Sequence, residues 1–383
     1  MTFDYDVAVI GAGPAGLSAA IELVQSGWRV LVIEKAEVPR EKVCGGFVGP
    51  ENQEALKRLG VWEDLLAQGA EKITEAQLSA SNGASVRIPI NFGNPDSFGL
   101  GVSRKLMDWN LLRRAQDLGV TIFSESNVST TSLEEGHKLE IKNRKTGVLA
   151  TAYTRFLINA SGAPKLKNTN QKGYYGIAAR FKNVAAMDKT VFLHFVQGGH
   201  FGINQFENGE TNCCYVADQE LFEEVGGDLE KLFTVFNERN PVLKKQLMKA
   251  EQISSWKGMY LPRKKPLKLF ENQTFYVGDS VGLINPVIGG GISLSLTSGG
   301  LLGRLLANYA PQDLPLAQVV KQYKQLWKKE FLRQVQMSKF WGFLSHQAFL
   351  AGPTIKLLNS QKHWLQKLFS YYHKPKEMES LSA

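Results

Sequence analysis

The sequence predicts an α/β protein: a Rossmann-like dinucleotide-binding domain, an inserted antiparallel-sheet domain and C-terminal helices. Three observations carry this prediction. From Tyr5 to Glu34 an apolar strand, a glycine turn, a helical stretch and a second apolar strand follow one another and end on an acid. After residue 174 the pattern changes to short strand-like runs separated by Gly, Asn and Asp turns. Near Phe275 an apolar strand ending in Gly278-Asp279 returns to the first pattern, so the sheet domain is an insertion and both domains are discontinuous.

The first unit is the most specific. Tyr5-Asp6-Val7-Ala8-Val9-Ile10 runs into Gly11-Ala12-Gly13-Pro14-Ala15-Gly16. Gly11 allows the tight turn, Gly13 lets backbone N–H groups approach a pyrophosphate at the positive end of the helix, and Gly16 lets the helix pack close to the strand. After the strand Arg29–Ile33, Glu34 lies 18 residues past Gly16, placed to accept hydrogen bonds from a ribose, with Lys35 beside it. A glycine-rich turn serving only the backbone explains neither the spacing nor the acid.

Further along, Ser103 reads as the N-cap of a helix running to Leu118 and stopped by Gly119, with Leu106, Trp109, Leu112 and Ala115 on one face. A strand Val120–Phe123 follows, and His137 to Ala152 reads as a hairpin around Arg144-Lys145-Thr146-Gly147. Phe156 to Gly162 reads as a buried strand ending in a small-residue turn. Tyr175–Phe181, Thr190–Val196, His200–Phe206 and Thr211–Val216 form the expected antiparallel floor, and residues 228–250 read as helical. The expected nucleotide domain spans 1–75, 100–165 and 268–320, the substrate domain 76–99 and 166–267, and a basic aromatic helical region 321–383.

At 383 residues and 43% hydrophobic content there is material for two cores. Cys44, Cys213 and Cys214 give no disulfide framework, and the acidic N-terminus enters a strand at once, so the expectation is a reducing cytoplasm. Ser280 to Gly303 holds 24 residues without a charge, but Asn285, Pro286 and several glycines mark a buried turn and helix rather than a membrane span. Of the net charge of +9, residues 321–383 carry +8, from ten Lys, one Arg and three Glu, among Trp327, Trp341, Trp364 and eight Phe or Tyr. Two readings stand: C-terminal helices packed on the core with lysines in solvent, or a face for an anionic membrane surface or an acidic carrier protein. Without a binding module, nucleic acid is not expected.

Two later segments carry a resemblance. Phe156-Leu157-Ile158-Asn159-Ala160-Ser161-Gly162 resembles the "ATG" turn of the glutathione-reductase type of FAD fold. Phe275-Tyr276-Val277-Gly278-Asp279-Ser280, followed by Pro286 and Gly289-Gly290-Gly291, resembles the "GD" motif, whose aspartate binds the ribityl chain and whose downstream helix points its N-terminus at the flavin. Over about residues 3 to 305 the chain is similar to the class A flavoproteins, the para-hydroxybenzoate-hydroxylase fold shared by aromatic hydroxylases, flavin-dependent halogenases and geranylgeranyl reductases. Within that group it most resembles the geranylgeranyl-reductase-like branch, through Pro39-Arg40-Glu41-Lys42-Val43-Cys44-Gly45-Gly46, Pro50, Leu56 to Gly60, and Gly278 to Pro286. One departure is Gly289-Gly290-Gly291 where the reductases carry Gly-Glu-Gly.

The resemblance implies FAD held by Gly11, Gly13, Pro14, Ala15, Gly16, Glu34, Lys35, Arg40, Cys44, Gly45, Arg104, Val128, Gly162, Asp279, Pro286, Gly289, Gly290, Gly291 and Ile292. It also places Cys44 against the substrate, either as a proton donor or as pocket wall, and Phe201–Phe206 as an aromatic strand over the flavin. Tyr174, Tyr175, Phe192, Phe195, Phe201 and Phe206 then suggest a wall for an apolar, isoprenoid- or polyketide-like substrate. His194 and His200 are expected to be hydrogen-bonded residues of the sheet rather than bases. No second GxGxxG exists for NAD(P)H, so the reductant is a transiently docked nicotinamide or a separate electron donor. No residue cluster has metal-ligand spacing. Three functions remain in competition: a reductase transferring hydride to a C=C bond, a monooxygenase or halogenase using NAD(P)H and O2, and a non-catalytic flavin-bearing binding protein.

Overall fold

The computed structural model describes residues 2–91, 94–163, 173–262, 267–282, 290–346 and 348–360. In chain order its elements begin with β1 (Tyr5–Ile10), α1 (Pro14–Gln25), β2 (Val30–Ile33), β3 (Phe47–Val48), α2 (Gln53–Arg58), α3 (Trp62–Ala67), β4 (Glu71–Ile73), β5 (Glu75–Ser79), β6 (Ser85–Pro89) and β7 (Gly99–Gly101). Then come α4 (Arg104–Asp117), β8 (Thr121–Phe123), β9 (Ser126–Ser132), β10 (His137–Asn143), β11 (Leu149–Asn159), β12 (Gly173–Lys182), β13 (Thr190–Val196), β14 (Gly199–Gln205) and β15 (Thr211–Asp218). The rest are α5 (Gln219–Glu224), α6 (Leu229–Arg239), α7 (Pro241–Leu247), β16 (Glu251–Gln252), β17 (Lys257–Pro262), β18 (Phe270–Glu271), β19 (Thr274–Tyr276), α8 (Gly291–Ala307), α9 (Leu316–His346) and α10 (Ala348–Ser360).

The first sheet runs β18-β19-β11-β1-β2-β8, with the hairpin strands β9 and β10 beside β11. β1 pairs in parallel with β2 and β11, and β19 and β8 extend the parallel set on either side. Val7, Ala8 and Val9 are buried because helices cover one face and the β9–β10 hairpin residues Leu139 and Ile141 the other. α8 lies on α1 at very close range: a Cβ on Gly299 would overlap the Ala15 carbonyl oxygen. α9 then packs on this layer through the buried Tyr323, Trp327 and Phe331, and the Tyr323 hydroxyl donates to the Tyr276 carbonyl at 2.8 Å. The aromatics of this part of the basic tail therefore belong to the core. No helix among the described residues is long and apolar enough to cross a membrane.

The second sheet runs β16-β12-β15-β14-β13-β5-β6, with β17 also on β12. It is antiparallel except at one junction, where β13 pairs in parallel with β5. This corrects the purely antiparallel expectation: β5 and β6 arrive from a distant stretch of chain and join in the opposite sense to a hairpin neighbour. α6 and α7 cover one face over a core of Phe181, Phe201, Tyr215 and Phe236. α10 packs Ala351 and Ile355 against the cluster formed by Leu78, Ile88, Ile90 and Phe195.

α4 begins as expected, with the Ser103 hydroxyl accepting from the Leu106 N–H at 3.0 Å and Gly119 following at φ +95°. Its buried face differs from the expected one. Met107, Asp108, Leu111, Leu112 and Ala115 are buried, whereas Leu106 and Trp109 are only half-buried. The shift admits a carboxylate to the interior, and the site explains why.

Candidate functional site

Both sheets and the loops between them open on one cavity of about 740 Å³. At one end lies the first glycine turn. Gly11 adopts φ +109°, and a Cβ there would overlap the Ala160 carbonyl oxygen crossing above it, so only glycine fits. α1 starts with Gly13 as an N-cap that has no side-chain bond, Pro14 in its first turn and no acidic residue in that turn. Its positive end is therefore left for an external anion. Gly16 lies beneath the turn, where a Cβ would overlap the Gly11 carbonyl oxygen, and serves packing rather than the cavity wall.

Glu34 is buried at the end of β2 and organises this turn. One carboxylate oxygen accepts from the Ala12 N–H and the other from the Ala36 N–H, each at 2.9 Å. Each oxygen keeps a further lone pair for a ribose hydroxyl.

The principal electrostatic feature is a buried triad. Asp108 takes two hydrogen bonds from Arg104, at 2.8 and 2.9 Å, and one from Lys42 at 2.6 Å. Burial works against all three charges. The two cations nevertheless hold the Asp108 carboxyl below its ordinary range, and Asp108 in turn holds the Arg104 guanidinium charged. For Lys42 burial wins, with Arg104 adding like-charge repulsion, and its ammonium is depressed. A Cβ placed on Gly13 would have Arg104 Nη2 and Lys42 Nζ each at 3.9 Å. Two cations thus stand over the helix N-terminus where a pyrophosphate would lie. Asp108 was not expected from sequence. The available signal was its position four residues after Arg104 on a helix, the spacing of a side-chain ion pair.

Asp279 lines the same cavity, on a short turn after β19 held by the Gly278 N–H donating to Ser298 Oγ at 2.8 Å. Burial raises its carboxyl, against the opposing pull of Arg104. The first turn of α8 contributes Gly291, Ile292 and Ser295. Beside them Glu51, also missed by sequence, accepts from Ser293 Oγ at 2.6 Å.

The Cys44-Gly45-Gly46 loop forms the middle of the wall. Asn212 on β15 holds it, donating to the Cys44 and Gly45 carbonyls at 3.0 and 3.2 Å. Gly46 sits at φ +65°, and a Cβ there would overlap the Phe206 ring. The Gly46 N–H donates to Cys44 Sγ at 3.4 Å. Arg180 fastens the start of the loop, donating to Glu41 at 2.9 Å while stacking 4.1 Å over Phe206.

The sheet end of the cavity corrects the aromatic wall. Alternation along β14 turns His200, Gly202 and Asn204 to the cavity and Phe201 into the opposite core. On β15 Cys214 and Val216 face the cavity and Tyr215 the core. Of the six aromatics expected at the wall only Phe192 lines it; Tyr175 stacks on Phe222 at 3.7 Å, and Phe195 and Phe201 are core residues. The wall is instead mostly aliphatic and small, with Ala76, Leu78, Ile90, Val191, Gly176 and Gly202, and it carries the polar His200 and Asn204 between them. Burial, with a contribution from Cys44, pushes the Cys214 thiol up to about 12. His194 does not reach the cavity. Its ring bonds Ser79 Oγ at 2.7 Å and Gln246 Oε1 at 3.1 Å, and burial lowers it to about 4.

The expected cofactor residues divide clearly. Gly11, Gly13, Pro14, Ala15, Glu34, Lys35, Arg40, Cys44, Gly45, Arg104, Gly162, Asp279, Gly291 and Ile292 line the cavity. Val128 does not: on β9 opposite Ile141, it packs against the cluster of Ala8, Leu31 and Leu139. Gly290 is the N-cap of α8, while Pro286 and Gly289 lie outside the described residues. An open helix N-terminus, two cations above it and an acid at the end of the second strand fit the diphosphate and ribose of FAD. A Cβ on Gly45, Gly162 or Gly291 would meet nothing within 4 Å, which leaves room beside all three segments.

Residues 4–166 match the family model described as an FAD binding domain. The digeranylgeranylglycerophospholipid reductase 2 of Methanopyrus kandleri is 26% identical over 347 residues, covering 86% of this chain and 83% of the relative. Among solved structures, a triple mutant of the flavin-dependent brominase Bmp2 superposes with a TM-score of 0.78 at 18% identity, over 95% of this chain and 94% of that one. A geranylgeranyl bacteriochlorophyll reductase-like protein from Thermoplasma acidophilum superposes with a TM-score of 0.76 at 18% identity, over 97% of each chain. The fold is that of the class A flavoproteins, FAD is the cofactor, and the protein is an FAD-dependent oxidoreductase.

Proposed function

We propose that this FAD-dependent oxidoreductase hydrogenates a carbon–carbon double bond in an apolar, isoprenoid-like substrate. One observation carries the reading: the glycine turn, the Cys44-Gly45-Gly46 loop and an aliphatic sheet face open on a single cavity. Reduced FAD, when bound, supplies the hydride. Everything else falls to the chain's own residues. Arg104, Lys42 and the α1 N-terminus hold the diphosphate. Ala76, Leu78, Ile90, Val191 and Leu193 hold the hydrocarbon and exclude water from it. Cys44, on the wall between the two ends, gives its proton to the second carbon and is reprotonated from solvent. The double bond thereby gains one hydride and one proton. The similarity to a digeranylgeranylglycerophospholipid reductase supports the same direction. The reductant is a docked nicotinamide or a separate electron-donor protein.

The test is to reduce the FAD-loaded protein without oxygen, add geranylgeraniol, and follow flavin reoxidation and product mass. Anaerobic reoxidation with a product heavier by two hydrogens is expected. No anaerobic turnover, with an oxygen-bearing product formed only in air, would overturn the reading in favour of a monooxygenase.

A further inference from the structure

Beside the Cys44 loop, the row of residues crossing β12, β15 and β14 is polar. Arg180 stands opposite Asn212, and Asn212 opposite Asn204, so the three share one face of the sheet. Two of them are committed. Arg180 pairs with Glu41 and stacks on Phe206, and Asn212 donates to the Cys44 and Gly45 carbonyls. Asn204 differs from both. It is 3% exposed and lines the cavity, yet neither its Oδ1 nor its Nδ2 has a hydrogen-bond partner among the described residues.

A buried amide with both ends unpaired is costly, and folded proteins seldom leave one so. A partner can reach it from the cavity that the residue lines. Its oxygen end is crowded: a Cβ on Gly101 of β7 would stand 2.9 Å from Oδ1. Nδ2 is therefore the end left to a ligand, and an N–H donor requires an acceptor oxygen. Residues paired across strands hold their Cβ atoms about 4.5–5.5 Å apart, which sets Asn204 beside the residue that fixes the Cys44 loop. The acceptor thus lies near the thiol, at the reacting part of the substrate rather than at a remote end.

We propose that Asn204 binds a carbonyl oxygen conjugated with the double bond, so that the substrate is an α,β-unsaturated carbonyl compound. An isolated alkene has no atom on which to place the electron pair that hydride displaces, whereas an enal or enone has its oxygen. The β carbon takes the hydride that reduced FAD supplies, forming a C–H bond. The C=C pair moves to join the α and carbonyl carbons, and the carbonyl pair moves to oxygen. Asn204 Nδ2 donates to that oxygen, and the bond strengthens as the charge develops. Cys44 gives its proton to the α carbon, the carbonyl re-forms, and the thiolate is reprotonated from solvent. One hydride and one proton are gained, and FAD is left oxidised. The inference deepens the hydrogenation reading and rests on it.

Geranylgeranial and geranylgeraniol, which differ only in the oxidation state of one carbon, are compared on the FAD-loaded protein. Each is first titrated into the oxidised form by flavin absorbance. The C=O stretch of the bound, carbon-13-labelled aldehyde is then read by infrared difference spectroscopy. A stretch lowered from its value in hexane is expected in wild type, and an unshifted one overturns the site without recourse to any variant. Asn204→Leu, close in volume, is expected to keep its flavin and to melt no lower than wild type, since two unpaired polar atoms are gone. It should bind the aldehyde about tenfold more weakly, leave the alcohol unchanged and abolish the shift. Its anaerobic single-turnover rate with the aldehyde should fall by about 10²–10³-fold, the range for one donor lost from a developing oxyanion. An equal stretch in wild type and variant, or equal loss of aldehyde and alcohol, overturns the carbonyl site. Loss of flavin from Asn204→Leu assigns the amide to the cofactor and overturns it as well. Anaerobic turnover of both probes that the variant leaves untouched overturns the site and keeps hydrogenation. A shift that depends on Asn204, without anaerobic turnover in wild type, keeps the site and removes only hydrogenation.

Discussion

Arg104 and Asp108 stand one helical turn apart and are joined by two hydrogen bonds, at 2.8 and 2.9 Å, inside the protein. The pairing fixes the guanidinium beside Gly13, and Lys42, on the same carboxylate, stands there with it. The cations of the cofactor end are thus positioned by a buried acid that does not itself line the cavity.

Removing that acid should cost both stability and cofactor. Asp108→Ala leaves two buried cations without their partner, and breaking such a group costs about 3–5 kcal/mol. Denaturant unfolding of the apoprotein should show the loss, and a fluorescence titration should show FAD affinity reduced by about tenfold or more. Unchanged values in both would mean that the triad does no organising.

At Gly11 the constraint is steric. Gly11→Ala puts a Cβ on a residue at φ +109° and into the Ala160 carbonyl. The strain alone is worth about 1–3 kcal/mol. The variant should purify without flavin colour and melt lower, and a yellow protein of native melting temperature would contradict the turn geometry.

Cys44 separates chemistry from binding. Cys44→Ala should leave flavin content unchanged and lower the anaerobic single-turnover rate by about 10²–10⁴-fold, the range for loss of a positioned proton donor. Cys44→Ser should recover part of it. Full activity in Cys44→Ala would reduce the thiol to pocket wall.

His194 gives a pH signature remote from the cavity. Its ordinary value near 6.5 falls to about 4 on folding because burial disfavours the cation. Between those values the unfolded chain binds a proton that the folded protein refuses. The stability of the folded state is therefore intact above pH 6.5 and declines as pH falls toward 4. At about 1.4 kcal/mol per unit the loss is roughly 3 kcal/mol. Urea midpoints at neutral pH and at about pH 4.5 should differ accordingly, and His194→Gln should flatten the slope. An equal slope in wild type and variant would assign acid sensitivity to other groups.

The nucleotide end was legible because its signals are local. The Tyr5–Glu34 unit and the Ser103 cap depend on residues close in sequence, and each folds as its pattern reads. Asp108 was not legible, since hydropathy assigns a charge to the wet face of a helix and cannot see two cations arriving from Lys42 and Arg104. The sheet was half legible. Alternation along β14 separates Phe201 from His200 and Asn204, but does not say which face meets the cavity. Nor does it show that β5 enters beside β13 in parallel, because that junction joins strands more than a hundred residues apart.

The contact of Gly299 on Ala15 bears on where the molecule can be cut. The stretch matched as an FAD binding domain ends at residue 166, yet α8, which covers α1, lies far beyond it, and so does β19, which completes the edge at β11. A fragment stopped at that boundary would carry every glycine of the first turn but expose the apolar back of its own helix and an unpaired strand. The recognisable module is therefore not an excisable one, and transplanting this nucleotide site into another scaffold requires residues 268–307 as well.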